Sequence, residues 1–203
     1  VGMMNPMYMP RIKEKLIESF DNEKIFKFIH IPVQSGSDKV LNDMKRGHTA
    51  GTFRDIVQKI KERFSEFTIS TDIIVGFPSE TEEDFQKTVS LLDEIKPDVV
   101  NLSRYSARPG TDAAELKQID DAESKRRSKI IFEQISKLSM ESNKKWIGWK
   151  GKVLFDEKTD EGIKGRNFAY KPIAVNEPVE LGQSYTVEIT DATVKRLIGK
   201  IAS

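Results

Sequence analysis

Cysteine is absent from the 203 residues. These residues alone can therefore build no disulfide, no thiolate nucleophile and no cysteine-held iron–sulfur cluster. The same absence fits a cytoplasmic setting. Histidine is nearly absent as well. His30 and His48 are too few for a histidine-rich metal site, so no metal ligand is assigned. No apolar run is long enough to cross a bilayer and no signal-peptide pattern opens the chain, so no membrane partner is expected. An excess of charge is missing too. Lys and Arg number 33 against 32 Asp and Glu, and a net of +1 does not announce a nucleic-acid partner. What is present is 37% hydrophobic and 32% charged residues, the mark of a globular chain with a very charged surface. The length suits one large domain or a domain plus a small one.

Val1-Gly2-Met3-Met4-Asn5-Pro6 reads as the end of a strand whose beginning lies upstream, so a missing N-terminal portion of the same polypeptide is expected. Pro10 to about Phe20 has helical spacing. Phe26 to Val33 is short, apolar and without helical spacing, and reads as a buried strand. It ends abruptly in Gln34-Ser35-Gly36-Ser37, where polar groups gather at a tight turn. Ser37 is placed to cap a helix over Asp38 to Met44, with Gly47 as its C-terminal cap. Thr52 to Phe64 sets Phe53, Ile56, Val57, Ile60 and Phe64 on one helical face, with Thr52 and Asp55 as a capping pair. Thr68 to Val75 is a strand ending in Gly76-Phe77-Pro78-Ser79-Glu80. Thr81 caps the next helix, Pro97 stops it, and Val99 to Leu102 is a third strand leading toward Tyr105 and Arg108.

This alternation predicts an α/β fold with parallel strands and crossover helices. Three strands and a truncated one make half a barrel. Ligands of such sheets bind beyond the carboxyl ends of the strands. Asp121 to Lys145 reads as a long helix with seven Lys/Arg and four Asp/Glu, either a solvated linker or a phosphate-facing surface. From Trp146 the pattern changes. Lys152–Phe155, Phe168–Tyr170, Ile173–Val175, Tyr185–Ile189 and Leu197–Ile201 are short strand-like runs. Turn signals such as Asp160-Glu161-Gly162 separate them, which suggests a small β-barrel.

Four motifs carry a resemblance. They are Gly2-Met3-Met4-Asn5-Pro6; His30-Ile31-Pro32-Val33-Gln34-Ser35-Gly36-Ser37 with Met44-Lys45-Arg46; Thr71-Asp72-Ile73-Ile74-Val75-Gly76-Phe77-Pro78 with Glu80-Thr81; and Tyr105-Ser106 with Arg108-Pro109-Gly110-Thr111. In this order the chain resembles the methylthiotransferases of the radical S-adenosylmethionine superfamily, nearest the archaeal and eukaryotic branch that acts on threonylcarbamoyladenosine in tRNA. Ser79 stands where that family usually has glycine. The resemblance implies the second half of a partial (β/α) TIM-like barrel with a linker helix over 1–145. It implies a small all-β TRAM barrel over 146–203.

The resemblance also implies S-adenosylmethionine and 4Fe-4S clusters in the full-length enzyme, with the cluster ligands absent from this chain, and tRNA as partner. The implied reaction begins with reductive cleavage of S-adenosylmethionine to a 5′-deoxyadenosyl radical. A methylthio group then enters at C2 of N6-threonylcarbamoyladenosine beside the anticodon. The chain alone is expected to be incompetent, and no catalytic residue is assigned to it. Two other readings stand beside this one. One is a stand-alone RNA-binding scaffold. The other is a relative acting on isopentenyladenosine or a ribosomal-protein aspartate.

If S-adenosylmethionine lies across the strand ends, Gln34 and Ser35 would meet its ribose or amino group, or else bond only within the loop. Arg46 would pair with its carboxylate, or else cap helix carbonyls. Ile74, Gly76 and Phe77 would edge the adenine. Tyr105 and Arg108 would face the substrate nucleotide, unless Arg108 only fixes the Pro109-Gly110 turn. Asp72 reads as a structural hydrogen-bonder and His30 as a packed core residue. On the small barrel, Arg166, Lys171, Lys195 and Arg196 would neutralise tRNA phosphates and Tyr170 would stack on an unpaired base. The alternative is that Tyr170 fills the barrel core and the cations are ordinary surface.

Overall fold

The computed structural model describes residues 2–159 and 162–202. The expected strand end at Val1 and most of the Asp160-Glu161-Gly162 turn lie outside them. A short 3-10 turn at Pro6–Tyr8 leads into α1 (Met9–Ser19), then β1 (Phe28–His30), α2 (Asp38–Asp43), α3 (Ala50–Arg63), β2 (Thr68–Val75), α4 (Glu82–Ile95) and β3 (Val99–Arg104). A single turn, α5 (Asp112–Glu115), precedes the long α6 (Asp121–Lys144). Five strands follow: β4 (Lys150–Thr159), β5 (Gly162–Arg166), β6 (Pro172–Val175), β7 (Ser184–Ala192) and β8 (Leu197–Ile201).

The first three strands form one parallel sheet in the order β1-β2-β3. Met3 bridges His30 in parallel and its neighbour Met4 donates its N–H to His30 O at 2.9 Å, so the opening residues extend the sheet beside β1 as expected. Side chains alternate across a strand. Ile29, Ile31, Ile69, Ile73 and Val75 point one way and join Phe53, Ile56, Phe85 and Leu92 of the covering helices in the core. The other face carries His30, Asp72, Ile74 and Asn101. It is polar at its centre: His30 Nε2 lies 2.7 Å from Asp72 Oδ1, which also accepts from Asn101 Nδ2 at 2.8 Å. Asp72 is the structural hydrogen-bonder expected. His30 is its partner on a half-buried face, not a packed core residue.

β1 is shorter than the expected Phe26–Val33 run, because Ile31 to Val33 leave the ladder at the approach to the loop. α3 begins earlier than expected. Thr49, not Thr52, is its cap, accepting the Thr52 N–H at 3.1 Å. α6 is no solvated linker. Ile131, Ile135 and Leu138 are buried against the sheet. Nor is it a free basic face: Lys125 pairs with Asp121 at 2.6 Å, Arg126 with Glu123 at 2.7 Å, and Lys129 lies 4.0 Å from Glu133.

The last five strands close into a barrel in the order β4-β5-β6-β8-β7 around Val153, Phe155, Ile173, Val187, Ile189 and Leu197. The expected strand at Phe168–Tyr170 is a turn, and Gly162–Arg166 is the strand instead. Tyr170 has φ +62°, which no strand allows, and Asn167 Oδ1 organises the turn by accepting from the N–H groups of Ala169 and Lys171. The turn docks on the sheet. Tyr170 packs its ring 5.0 Å from those of Phe26 and Phe28, and Lys27 N–H donates to Phe168 O at 2.7 Å.

Lys171 sits beneath, with a residue exposure of 2%. Its ammonium donates to Asp98 Oδ1 at 2.9 Å, Ser142 Oγ at 2.9 Å and Asn143 Oδ1 at 3.2 Å. This overturns its expected place on an RNA-facing surface: all three of its protons are spent inside the protein. Asn143 in turn donates to Thr193 O at 2.9 Å. The barrel is therefore locked to the amino-terminal ends of the sheet strands and to the end of α6. Lys171→Met removes the ammonium and leaves Asp98 without its counter-charge. We expect a loss of about 2–3 kcal/mol, somewhat less than for a fully sealed pair because Asp98 keeps some solvent. Urea unfolding followed by circular dichroism measures it, and an unchanged midpoint would refute the lock.

Candidate functional site

Two loops leave the carboxyl ends of β1 and β2 side by side. The first is held by α4. Gly36 N–H donates to Thr88 Oγ1 at 2.9 Å, and a Cβ at Gly36 would lie 2.3 Å from Lys87 O, so only glycine fits this approach. Ser35 is fully buried; its hydroxyl sits 3.3 Å from Thr88 Oγ1 and accepts the Ser37 N–H at 3.2 Å. Ser35 thus shapes the loop, and the expected contact of its hydroxyl with a ligand has no open approach. Ser37 caps α2 as expected, and its hydroxyl donates to Asp84 Oδ1 at 2.6 Å.

Asp84 is the hinge of this arrangement. It also accepts from the Thr81 hydroxyl at 2.8 Å and the Thr81 N–H at 3.2 Å, completing a capping box at the start of α4. Burial by itself would raise its carboxyl. The bonds from Ser37 and Thr81, with Lys39 nearby, outweigh burial and pull it down to about 2.

Gln34 was expected as a polar contact, and the structure adds a backbone observation. Its φ is +75°, in the left-handed region, which costs a side-chain-bearing residue about 1 kcal/mol. The sheet pays for this: Gln34 N–H donates to Asp72 O at 2.8 Å and Gln34 O accepts from Ile74 N–H at 2.9 Å. Strain held at the mouth of a strand is a signature of sites. No hydrogen bond from the Gln34 amide to other described side chains is among those that fix the loop.

The second loop is held by α6. Gly76 has φ +79°, and a Cβ there would meet Ser124 Oγ at 2.7 Å. Its N–H donates to Glu80 Oε2 at 2.8 Å, and the same oxygen accepts from Arg127 Nη1 at 2.8 Å. Arg127 also donates to Glu80 O at 2.9 Å and to Glu123 at 2.7 Å. Burial raises the Glu80 carboxyl, against the pull of Gly76 N–H and Arg127. Nothing in the local sequence signalled Arg127, which lies 47 residues beyond its partner. Phe77 is buried and packs edge-on against Tyr105 at 5.2 Å, joining this loop to the end of β3. Ile74 is half-buried on the polar face of the sheet.

Arg46 is also half-buried. It is not a side-chain cap of α2. The α2 carbonyls are met by backbone: Lys45 N–H donates to Asn42 O at 2.8 Å and Arg46 N–H to Leu41 O at 3.0 Å. Lys45, at φ +57°, holds the left-handed cap position expected of Gly47. No ion pair of the Arg46 guanidinium occurs among the described residues. His48, buried and unassigned from sequence, lies between the Arg46 backbone and the segment that follows β1. Its Nδ1 lies 3.2 Å from Arg46 O and its Nε2 3.3 Å from Val33 O. Arg108 fixes its turn through its carbonyl, which accepts the Thr111 hydroxyl at 2.8 Å, and its side chain is exposed.

Gln34, Arg46, Ile74, Gly76, Phe77 and Tyr105 therefore gather at the carboxyl ends of the strands. The barrel residues Arg166, Tyr170, Lys171, Lys195 and Arg196 lie apart from them, on the barrel that docks at the amino ends. Arg166 stacks 4.6 Å from the Tyr170 ring and pairs with Glu157 at 3.1 Å.

Residues 1–92 match the radical SAM superfamily. A probable threonylcarbamoyladenosine tRNA methylthiotransferase of Archaeoglobus fulgidus is 44% identical over 100% of this chain and 48% of its own length. One of Methanocaldococcus jannaschii is 45% identical over 99% of this chain and 46% of its own. A tRNA-2-methylthio-N(6)-dimethylallyladenosine synthase of Magnetococcus marinus is 35% identical over 94% of this chain and 45% of its own. The chain thus spans about half the length of these relatives.

Two measurements test the loops. Asp84 lies lower in the folded protein than its ordinary 3.8, so its stabilisation is complete above about pH 4 and is lost as pH falls through 2. Asp84→Asn should cost about 2 kcal/mol at pH 6 and almost nothing at pH 2, read from denaturation midpoints across that range. Gln34→Gly should relieve the strained backbone, adding up to about 1 kcal/mol of stability and raising the midpoint, whereas Gln34→Ala should not. Equal midpoints for the two variants would remove the strain from the account.

Proposed function

The chain is a relative of the radical SAM methylthiotransferases, its residues 1–92 carrying the superfamily match, and from that premise we propose that it forms the carboxyl-terminal half of a tRNA methylthiotransferase. Residues 1–145 would be the cofactor-binding half-barrel and 146–203 a TRAM barrel. The substrate would be N6-threonylcarbamoyladenosine in tRNA, by the names of the more similar relatives, and the setting the cytoplasm.

Arg46 carries the reading. A half-buried arginine whose guanidinium has no carboxylate partner among the described residues, its backbone carbonyl 3.2 Å from His48 Nδ1 near the carboxyl end of a parallel strand, suits a ligand carboxylate. Gln34, at its strained position, would meet the ribose or amino group. Phe77, braced by Tyr105, with Ile74 and the bare backbone at Gly76, would edge an adenine. These residues fit S-adenosylmethionine, which supplies radical and methyl-donor chemistry when bound; the chain's own part is to bind it, orient it and keep water from its apolar edge. The residues do not fit a 4Fe-4S cluster. There is no cysteine, and among the described residues no group of three or more His, Asp and Glu could hold a metal. Cluster ligands would have to come from outside these residues, and no step is assigned to a cluster here.

Calorimetric titration of the 203-residue chain with S-adenosylmethionine should show binding that Arg46→Met weakens about tenfold. Equal affinity in the variant would remove Arg46 from the site. Nucleoside mass spectrometry of tRNA from a strain lacking the gene should show loss of 2-methylthio-N6-threonylcarbamoyladenosine. Loss of the dimethylallyl counterpart instead would move the acceptor toward that of the Magnetococcus relative.

A further inference from the structure

A second cavity lies far from the strand carboxyl ends. It opens where the amino ends of the sheet, α6 and the small barrel meet, and has a volume of about 470 Å³. That is within the range of small-molecule sites. Its walls are mostly apolar, and three of its lining residues are unusually exposed for their type: Phe132 at 61%, Val194 at 40% and Val99 at 39%. Single exposed apolar residues mean little, but three lining one cavity do.

Its polar groups are few and specific. Thr68 lines the cavity, is only 2% exposed, and its Oγ1 has no hydrogen-bond partner. A buried hydroxyl left unmet costs about 1–3 kcal/mol, and a ligand atom would repay it. The cavity's charge is positive. Asp98, the acid on its lining, is already engaged by Lys171 and Ser142. Lys195 remains, its ammonium without a partner among the described residues, and Arg166 lies over the Tyr170 ring, also on the lining, with its charge shared with Glu157 at 3.1 Å. Apolar and aromatic walls, one unmet hydroxyl and two cations match a flat heteroaromatic ring that carries an anion.

We propose that this cavity is a nucleotide subsite, in which an unpaired base enters against Phe132 and Tyr170, Thr68 hydrogen-bonds its edge, and Lys195 and Arg166 meet its phosphate. The proposal rests on the tRNA reading for its preferred source, an unpaired nucleotide of a bound RNA. A free mononucleotide would present the same chemistry. The subsite adds Phe132 and Thr68, which the sequence did not single out, to the RNA-facing role expected of Arg166, Tyr170 and Lys195. Lys171 lines the cavity too, but its ammonium is held by Asp98, Ser142 and Asn143 and takes no part.

The test titrates the 203-residue chain with hexa-adenylate RNA and with AMP, by calorimetry at two salt concentrations. Hexa-adenylate should bind. Phe132→Ala, at an exposed position, should weaken it at least fivefold, Thr68→Val severalfold at equal shape, and Lys195→Ala should weaken it and lower the salt slope by about one. Hexa-adenylate binding well above AMP, with these losses, identifies RNA as the source. AMP binding as tightly, with the same losses, identifies a free nucleotide. If hexa-adenylate binds and all three variants bind it like the parent, the cavity is overturned while the RNA reading stands. If neither probe binds, the cavity is overturned, and the tRNA reading is judged separately by nucleoside mass spectrometry.

Discussion

The contact between Glu80 and Arg127 sets the geometry on which the rest of the molecule depends. A carboxylate and a guanidinium, both withdrawn from water, meet at 2.8 Å behind the loop that leaves β2. Such a pair is costly to bury and contributes little net stability, yet breaking it would strand a charge. Its value is therefore positional. The same Glu80 oxygen holds Gly76 N–H, so the loop, the strand end and α6 share one anchor. On the neighbouring loop, Asp84 does the same for Ser37 and Thr81. Both loops at the strand mouths are thus shaped by buried polar bonds more than by apolar packing.

α6 carries this constraint along its length. One end holds the β2 loop through Ser124 and Arg127. The other end meets the barrel through Ser142 and Asn143, with Lys171 and Asp98 closing the junction. The strands lie between these ends. β2 alone spans about 26 Å at 3.3 Å per residue.

Much of the fold was legible in the sequence because its signals are local. The β2 strand, Thr81 and Asp84 at the start of α4, Ser37 at the start of α2, and the apolar stripe of α3 each rest on residues within a few positions of one another. The misplaced elements were those with a choice of equivalent caps or aromatics. Thr49 and Thr52 both suit an N-cap. Phe168-Ala169-Tyr170 has strand composition, but Asn167 and the rings of Phe26 and Phe28 hold it as a turn.

The sequence by itself determined that polar and small residues stand at the ends of apolar strands, in an order that matches one superfamily. Tertiary structure alone decided what each residue does there. Ser35 and Lys171 were spent on internal partners, because burial compels every polar group to find one. Among the described residues Arg46 was left unpaired, and backbone N–H groups had already met the carbonyls it might have capped. His48 and Arg127 acquired positioning roles through contacts that run across the fold. Periodicity and capping act over one or two helical turns and are written in neighbouring letters. Partner choice among buried charges depends on which distant segments the core brings together, and no local stretch of sequence encodes that.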